Sequence, residues 1–258
     1  MDLGLTGKRA LVLGASRGLG AASARELALE GAEVFAAART PAAITDWAAA
    51  AGLAGKVTPV ALDLTDAGAV AALGETMAEA GIDILVNNCG GPAAGPAEGQ
   101  SRAAWLAAYE AMALPIFALT DALLPGMIAR GFGRVVTIGS SGIVAPIPGL
   151  ALSNGVRGAI AGWSKTLAAE VAAQGVTVNM VLPGRIGTDR VRELDAGKAA
   201  KSGQPVEAVV AASKATIPAG RYGDPAEFAA AVAFLASIRA SYITGSMIRV
   251  DGGLLRNL

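Results

Sequence analysis

Seven short runs of mostly apolar, strand-forming residues recur along this 258-residue chain, each separated from the next by a longer, often alanine-rich segment. That alternation constrains the fold more than any other feature. The runs are RALVLG (9–14), EVFAAA (33–38), KVTPVALD (56–63), IDILVNN (82–88), GRVVTIGS (133–140), VTVNMVLPG (176–184) and SMIRVDGG (246–253). Runs that are apolar continuously, rather than at every second residue, read as strands buried on both faces, as in a parallel sheet covered by helices. Segments such as 18–30, 66–80, 101–130 and 150–174 have helical spacing and good helix formers. The expected fold is α/β: a doubly wound, parallel, seven-stranded, Rossmann-like sheet with right-handed crossovers, in a single domain over 1–258. The least regular region, about 185–220, follows the sixth strand. Ligands of such sheets bind beyond the carboxyl ends of strands, so this segment is the expected substrate-covering lid.

Composition excludes several functions. Twenty-one basic residues balance 21 acidic ones without a run of like charge, so neither nucleic acid nor an anionic membrane face is an expected partner. The chain contains no histidine, which removes the commonest general base and metal ligand; no metal site is expected. A single cysteine, Cys89, suits a reducing compartment. The start, MDLGLTGKRALVLG, does not read as a signal peptide. The alanine-rich segments read as too interrupted by charge to cross a membrane. A cytoplasmic location is expected.

The first strand runs into Gly14-Ala15-Ser16-Arg17-Gly18-Leu19-Gly20 and then a helix. Glycines there permit a tight turn and let backbone amides approach a pyrophosphate at a helix N-terminus. An acidic residue at the end of the second strand would hold the ribose 2′-hydroxyl of NAD, but that strand ends Ala36-Ala37-Ala38-Arg39. Arg39 with Arg17 suits a 2′-phosphate instead, and NADP(H) is the expected cofactor.

The Gly-x-x-x-Gly-x-Gly loop, "ALDLTD" with Asp63, "NNCGG", "PGRIGTD" and "YITGSMIRVDGG" occur in one order over essentially the whole chain. In this the sequence resembles the short-chain dehydrogenase/reductase family. The resemblance implies a cofactor set of Gly14, Ser16, Arg17, Gly18, Leu19, Gly20, Arg39, Asp63, Leu64, Asn87, Gly90, Arg157, Pro183, Gly184, Ile186 and Thr188. Asp63 would sit near the adenine, Asn87 and Gly90 on the adenosine side, and Ile186 and Thr188 at the carboxamide. It also implies a homo-oligomer, a tetramer or dimer, packed through the long helices.

The family's catalytic positions are largely replaced. Its serine is Ser140, but Ser153 stands where the tyrosine of Tyr-x-x-x-Lys belongs, Arg157 where the lysine belongs, and Met112 where an asparagine is usual. A tyrosine of pKa about 10 can protonate an alkoxide, whereas a serine hydroxyl is far less acidic. Ser153 is therefore read as a hydrogen-bond donor. Arg157 retains the cation, for ribose hydroxyls or an oxyanion, but relays no proton. Ser141, Arg185 and Tyr109 are candidate substrate contacts, and Arg157 or Arg185 would pair with an anionic substrate. The expected function is an atypical NADP(H)-dependent oxidoreductase acting on a carbonyl or alcohol carbon of a small molecule, with Ser140, Ser153 and Arg157 as catalytic residues. The alternatives are an inactive nucleotide-binding or regulatory protein, or a non-redox enzyme on the same fold.

Overall fold

The computed structural model describes residues 1–257. Its seven strands are β1 (Arg9–Leu13), β2 (Glu33–Ala38), β3 (Val57–Ala61), β4 (Ile84–Asn87), β5 (Gly133–Ile138), β6 (Val176–Pro183) and β7 (Met247–Val250). They pair in the order β3-β2-β1-β4-β5-β6-β7, all parallel. Strand order reverses between β1 and β4, which opens a crevice at their carboxyl ends.

Two helical layers cover the sheet. One carries α1 (Gly18–Leu29), α2 (Pro41–Ala50) and α9 (Pro225–Ala236); the other carries α3 (Ala67–Ala80), α4 (Arg102–Met112), α5 (Leu114–Ala129) and α6 (Ala151–Val171). The period of two in β1 divides the core between them. Ala10 and Val12 pack with Leu27, Phe228 and Val232 on the first face, and Leu11 and Leu13 with Leu73, Leu119 and Val171 on the second. Each large side chain so buried contributes about 1.5–3 kcal/mol. A third cluster under the site joins Cys89, Met112, Ile116, Leu152, Val156 and Met180.

Two features differ from the sequence reading. The 101–130 segment is two helices, because Pro115 enters the first turn of α5 and the chain turns at Ala113. Region 185–220 is not irregular: it folds as α7 (Asp189–Ser202) and α8 (Val206–Ala215). Its α7 has few apolar residues because most of that helix faces solvent, so helical periodicity was faint.

The expectation that no segment is apolar enough to span a membrane also fails. Arg102–Ala129 contains an 18-residue window that meets that test by length and composition, and residues 111–128 carry one charge, Asp121. In the fold, however, Ile116, Leu119, Leu123 and Met127 are buried in the core.

Candidate active site

At the end of β1 the Gly14 carbonyl accepts a hydrogen bond from Asn88 Nδ2 at 3.2 Å. A Cβ on Gly20 would lie 2.3 Å from that same oxygen and 2.7 Å from Asn88 Nδ2. No side chain fits, so glycine at 20 is what lets α1 begin against the strand. Arg17 is the N-cap of α1 and makes no side-chain cap bond, which leaves the first amides of the helix for an anion. Beside this cradle Gly90 is exposed, and a Cβ there would meet nothing within 4 Å. These features fit a dinucleotide pyrophosphate.

The asparagine doublet divides its labour. Asn87 turns inward rather than lining the crevice: it is fully buried, with Nδ2 directed to Thr120 and Thr137 at 3.5 and 3.4 Å. It therefore braces β4 against β5 and α5. Asn88 is the member that reaches the glycine loop. The sequence reading passed it over, although the doublet itself was the signal.

At the adenosine end Arg39 is exposed beyond β2, and its charge acts on Asp63. The Asp63 carboxylate accepts from Thr65 N–H at 3.0 Å and Thr65 Oγ1 at 2.8 Å, and these bonds hold it below the usual carboxylate range. Leu64 is half-buried next to it. Arg17, by contrast, is already engaged: its Nη1 lies 2.9 Å from Glu193 Oε1 on α7.

Pro183 ends β6, and the Gly184 amide donates to Val250 at 2.9 Å. Ile186 is buried, as is Thr188, whose methyl lies 3.8 Å from where a Gly18 Cβ would sit. The β6–α7 turn thus closes on the glycine loop across the crevice.

Two of the expected catalytic positions, Ser140 and Arg157, meet at the end of β5. Ser140 Oγ accepts from the Gly142 amide at 3.0 Å. Arg157, reaching from α6, donates through Nη1 to the carbonyls of Ile138 and Gly139 at 3.1 and 3.4 Å. Four residues earlier on the same helix, Ser153 is half-buried. A Cβ on Gly142 would lie 2.6 Å from Asn154 Oδ1 and 3.2 Å from Ser140 Oγ, so these polar atoms converge on a point that only glycine leaves free. Asn154 in turn pins the loop before α6, donating to Ile147 O at 2.9 Å and accepting from Ile147 N at 3.4 Å.

The remaining candidates are packed, buried or paired. Tyr109 packs with Met112 on the apolar cluster below the site, and Ser141 is buried. Arg185 faces α7, where its Nη1 lies 2.9 Å from Asp195, a carboxylate only 2 % exposed that also accepts from Tyr222 Oη at 2.7 Å. Arg190 pairs with Glu193 and Arg192 with Asp189. The cations near the lid are therefore matched by carboxylates, not grouped for an anionic substrate. Cys89 is buried close to Arg157, and burial pushes its thiol up.

A parallel sheet of this order, with a glycine cradle at its switch point and a serine at the end of β5, defines a dinucleotide-binding enzyme fold. The chain belongs to the short-chain dehydrogenase/reductase family. Residues 14–255 match the family model described as enoyl-(acyl carrier protein) reductase. The chain is 37% identical over 254 residues to the 3-oxoacyl-[acyl-carrier-protein] reductase FabG of Vibrio cholerae, covering 98% of this chain and 99% of that protein. Among solved structures it resembles the L-sorbose reductase of Gluconobacter frateurii complexed with NADPH and L-sorbose, with a TM-score of 0.93, 32% identity and full coverage of both chains. It also resembles YwfH, an NADPH dependent reductase involved in bacilysin biosynthesis, with a TM-score of 0.90, 27% identity, and 97% and 99% of the two chains covered.

Proposed function

We propose that the protein is an NADP(H)-dependent oxidoreductase of small carbonyl compounds or the corresponding alcohols, with a catalytic set of Ser140, Ser153 and Arg157 in place of a tyrosine–lysine pair. When bound, the nicotinamide supplies or accepts hydride. The chain's own part is to hold the cofactor and to fix the substrate oxygen. The glycine cradle, the open N-terminus of α1 and Asn88 suit the pyrophosphate; Arg39 and Arg17 suit the 2′-phosphate. The NADPH-dependent relatives support that choice.

The observation that carries the reading is the seat of Arg157. Its guanidinium is fixed on the carbonyls that end β5, next to Ser140, so a cation and hydroxyl donors stand together where an oxygen gains charge. Helices α7 and α8 act as the lid. Exposed Leu106 on α4 and Leu114 on α5 support packing into a homo-oligomer through these helices.

NADPH oxidation against a panel of carbonyl compounds, with cofactor binding measured by fluorescence in the same preparation, tests the proposal. Turnover that falls on Arg157→Met supports it. Binding without turnover on any compound refutes it in favour of a nucleotide-binding protein without chemistry. That second reading is favoured by one observation: Arg157 already spends donors on the main chain.

A further inference from the structure

Resting on the oxidoreductase reading above, the same site narrows the substrate, because it offers hydrogen-bond donors and charge but no acid. A serine hydroxyl has no acidity near neutrality, and a guanidinium gives up no proton there. The groups that could serve as acids are committed elsewhere. Tyr222 donates to Asp195, Tyr109 is packed on the Met112 cluster, and Tyr242 is fully exposed on the loop before β7. Cys89 does lie close to Arg157, but it is buried in that same cluster and its burial makes the thiol a weaker acid; the chain has no histidine.

A saturated ketone that accepts hydride becomes a localised alkoxide, which needs a proton delivered as it forms. A conjugated carbonyl compound does not. Hydride at its β-carbon leaves an enolate, whose charge is shared between oxygen and the α-carbon and which persists until water protonates it. Fixed donors around the oxygen are what such an anion requires.

The walls agree. The segment after β4, Gly90 to Ala97, and the segment from Ser141 to Val156 contain no charged residue. They are joined where Gly95 N donates to Gly149 O at 2.8 Å and Ala151 N to Gly95 O at 3.3 Å. Ala93, Pro96, Ala145, Pro146, Ile147 and Pro148 are exposed there. A small apolar molecule matches that surface better than a polyol, which would find few partners for its hydroxyls there.

We infer that the substrate is an apolar α,β-unsaturated ketone or aldehyde, reduced at its carbon–carbon double bond. Hydride from reduced nicotinamide forms the new C–H bond at the β-carbon, and the π pair of the double bond moves to leave an enolate whose oxygen is held by Arg157, Ser140 and Ser153. Water then protonates the α-carbon. One enone, one NADPH and one water give one saturated ketone, one NADP⁺ and one hydroxide.

Two measurements test this. In the first, the protein and NADPH deuterated at the transferred position are given matched pairs: 4-phenyl-3-buten-2-one with 4-phenyl-2-butanone, and 2-cyclohexen-1-one with cyclohexanone. The expected result is turnover of the enones only, with deuterium at the β-carbon of a saturated ketone. Reduction of the saturated ketones, or deuterium at the carbonyl carbon, would overturn the inference while leaving the oxidoreductase reading standing. No turnover of either class with NADPH bound would overturn both.

The second measurement needs no cofactor. 4-Nitrophenol is titrated into the protein, and its bound form is read from the phenolate absorbance as a stand-in for the enolate oxygen. Binding as the phenolate is expected, weakened about tenfold or more by Arg157→Met. Because Arg157 also anchors β5, Ser153→Ala serves as the second variant: it is expected to weaken the phenolate signal while thermal unfolding stays unchanged. Binding as the neutral phenol, or phenolate binding insensitive to both substitutions, refutes the assignment.

Discussion

Glu193 on α7 holds Arg17, one of the two arginines proposed above for the 2′-phosphate of NADP(H). Arg17 and Glu193 meet at 2.9 Å, with side chains 61% and 49% exposed, and their hydrogen bond and charge hold the Glu193 carboxyl below its ordinary range. Cofactor binding through Arg17 must divert that guanidinium from Glu193. Glu193→Gln removes the competing charge and leaves Arg17 free. Exposed ion pairs of this kind are weak and screened by salt, so the gain is modest: NADPH is expected to bind about two- to five-fold more tightly. NADH, with no 2′-phosphate, should be unaffected. The assay is fluorescence titration of the wild-type and Glu193→Gln proteins with each cofactor at low and high ionic strength, with 2′,5′-ADP and 5′-AMP as fragments. The NADPH gain should shrink as salt rises. The sign with pH also follows. A carboxyl depressed in the folded protein keeps its pair above the ordinary carboxylate range and loses it as pH falls through the depressed value, so the two proteins should converge in acid. An equal gain for NADH and NADPH would show that Glu193 acts on the lid and not on Arg17, and would refute the reasoning. So would no change for either.

Further outcomes follow from the same contacts. Gly20→Ala puts a methyl 2.3 Å from the Gly14 carbonyl, so it is expected to cost about 1–3 kcal/mol of stability and to abolish dinucleotide binding, read by denaturant unfolding and fluorescence titration. Leu11→Ala, at a site with no exposure, should cost about 2–5 kcal/mol in the same unfolding experiment. Glu227 closes the capping box of α9 and is held by Arg221, which brings its carboxyl from 4.5 down to about 2. Its contribution is present above the unfolded value and lost as pH falls from about 4.5 to about 2, so the pH slope of the thermal midpoint in that window should flatten in Glu227→Gln. Ser153→Tyr combined with Arg157→Lys installs a positioned acid; it should raise reduction of saturated ketones by about 10²-fold or more, measured as NADPH oxidation on cyclohexanone.

Much of this architecture was legible because its signals are local. EVFAAA is β2 to the residue, and the seven apolar runs are the seven strands. The central strands of a covered parallel sheet are buried along their length, as in β4 and β5, whereas the edge strands β3 and β7 are only partly buried although their runs read the same way. What escaped depended on distant partners. Which member of Asn87-Asn88 faces the core is set by the side of the sheet on which β4 residues emerge, and a doublet carries no such mark. Arg185 looked free because its carboxylate, Asp195, lies ten residues on, beyond the i+3 and i+4 spacing that reveals pairs such as Asp189 and Arg192. The break at Ala113 was marked by Pro115, but the apolar run continues across it, so hydropathy alone reads one helix where there are two.

On the function proposed above, the replacements at the family's catalytic positions act in one direction. A lysine at 157 would present a point charge on a flexible stem; arginine presents a fork, and here one arm of it is spent on the carbonyls of Ile138, the last residue of β5, and Gly139 just beyond it. That arm fixes the cation in place, and the side-chain acid close to it, the Cys89 thiol, is buried and pushed up by that burial. Losing the acid removes catalysis for acceptors that must be protonated as they react, but removes nothing for an acceptor whose anion survives unprotonated. Fixing the charge helps the second kind and does nothing for the first. Met112 points the same way, because it fills the asparagine position with a buried apolar side chain and so leaves no polar group there to relay protons from solvent.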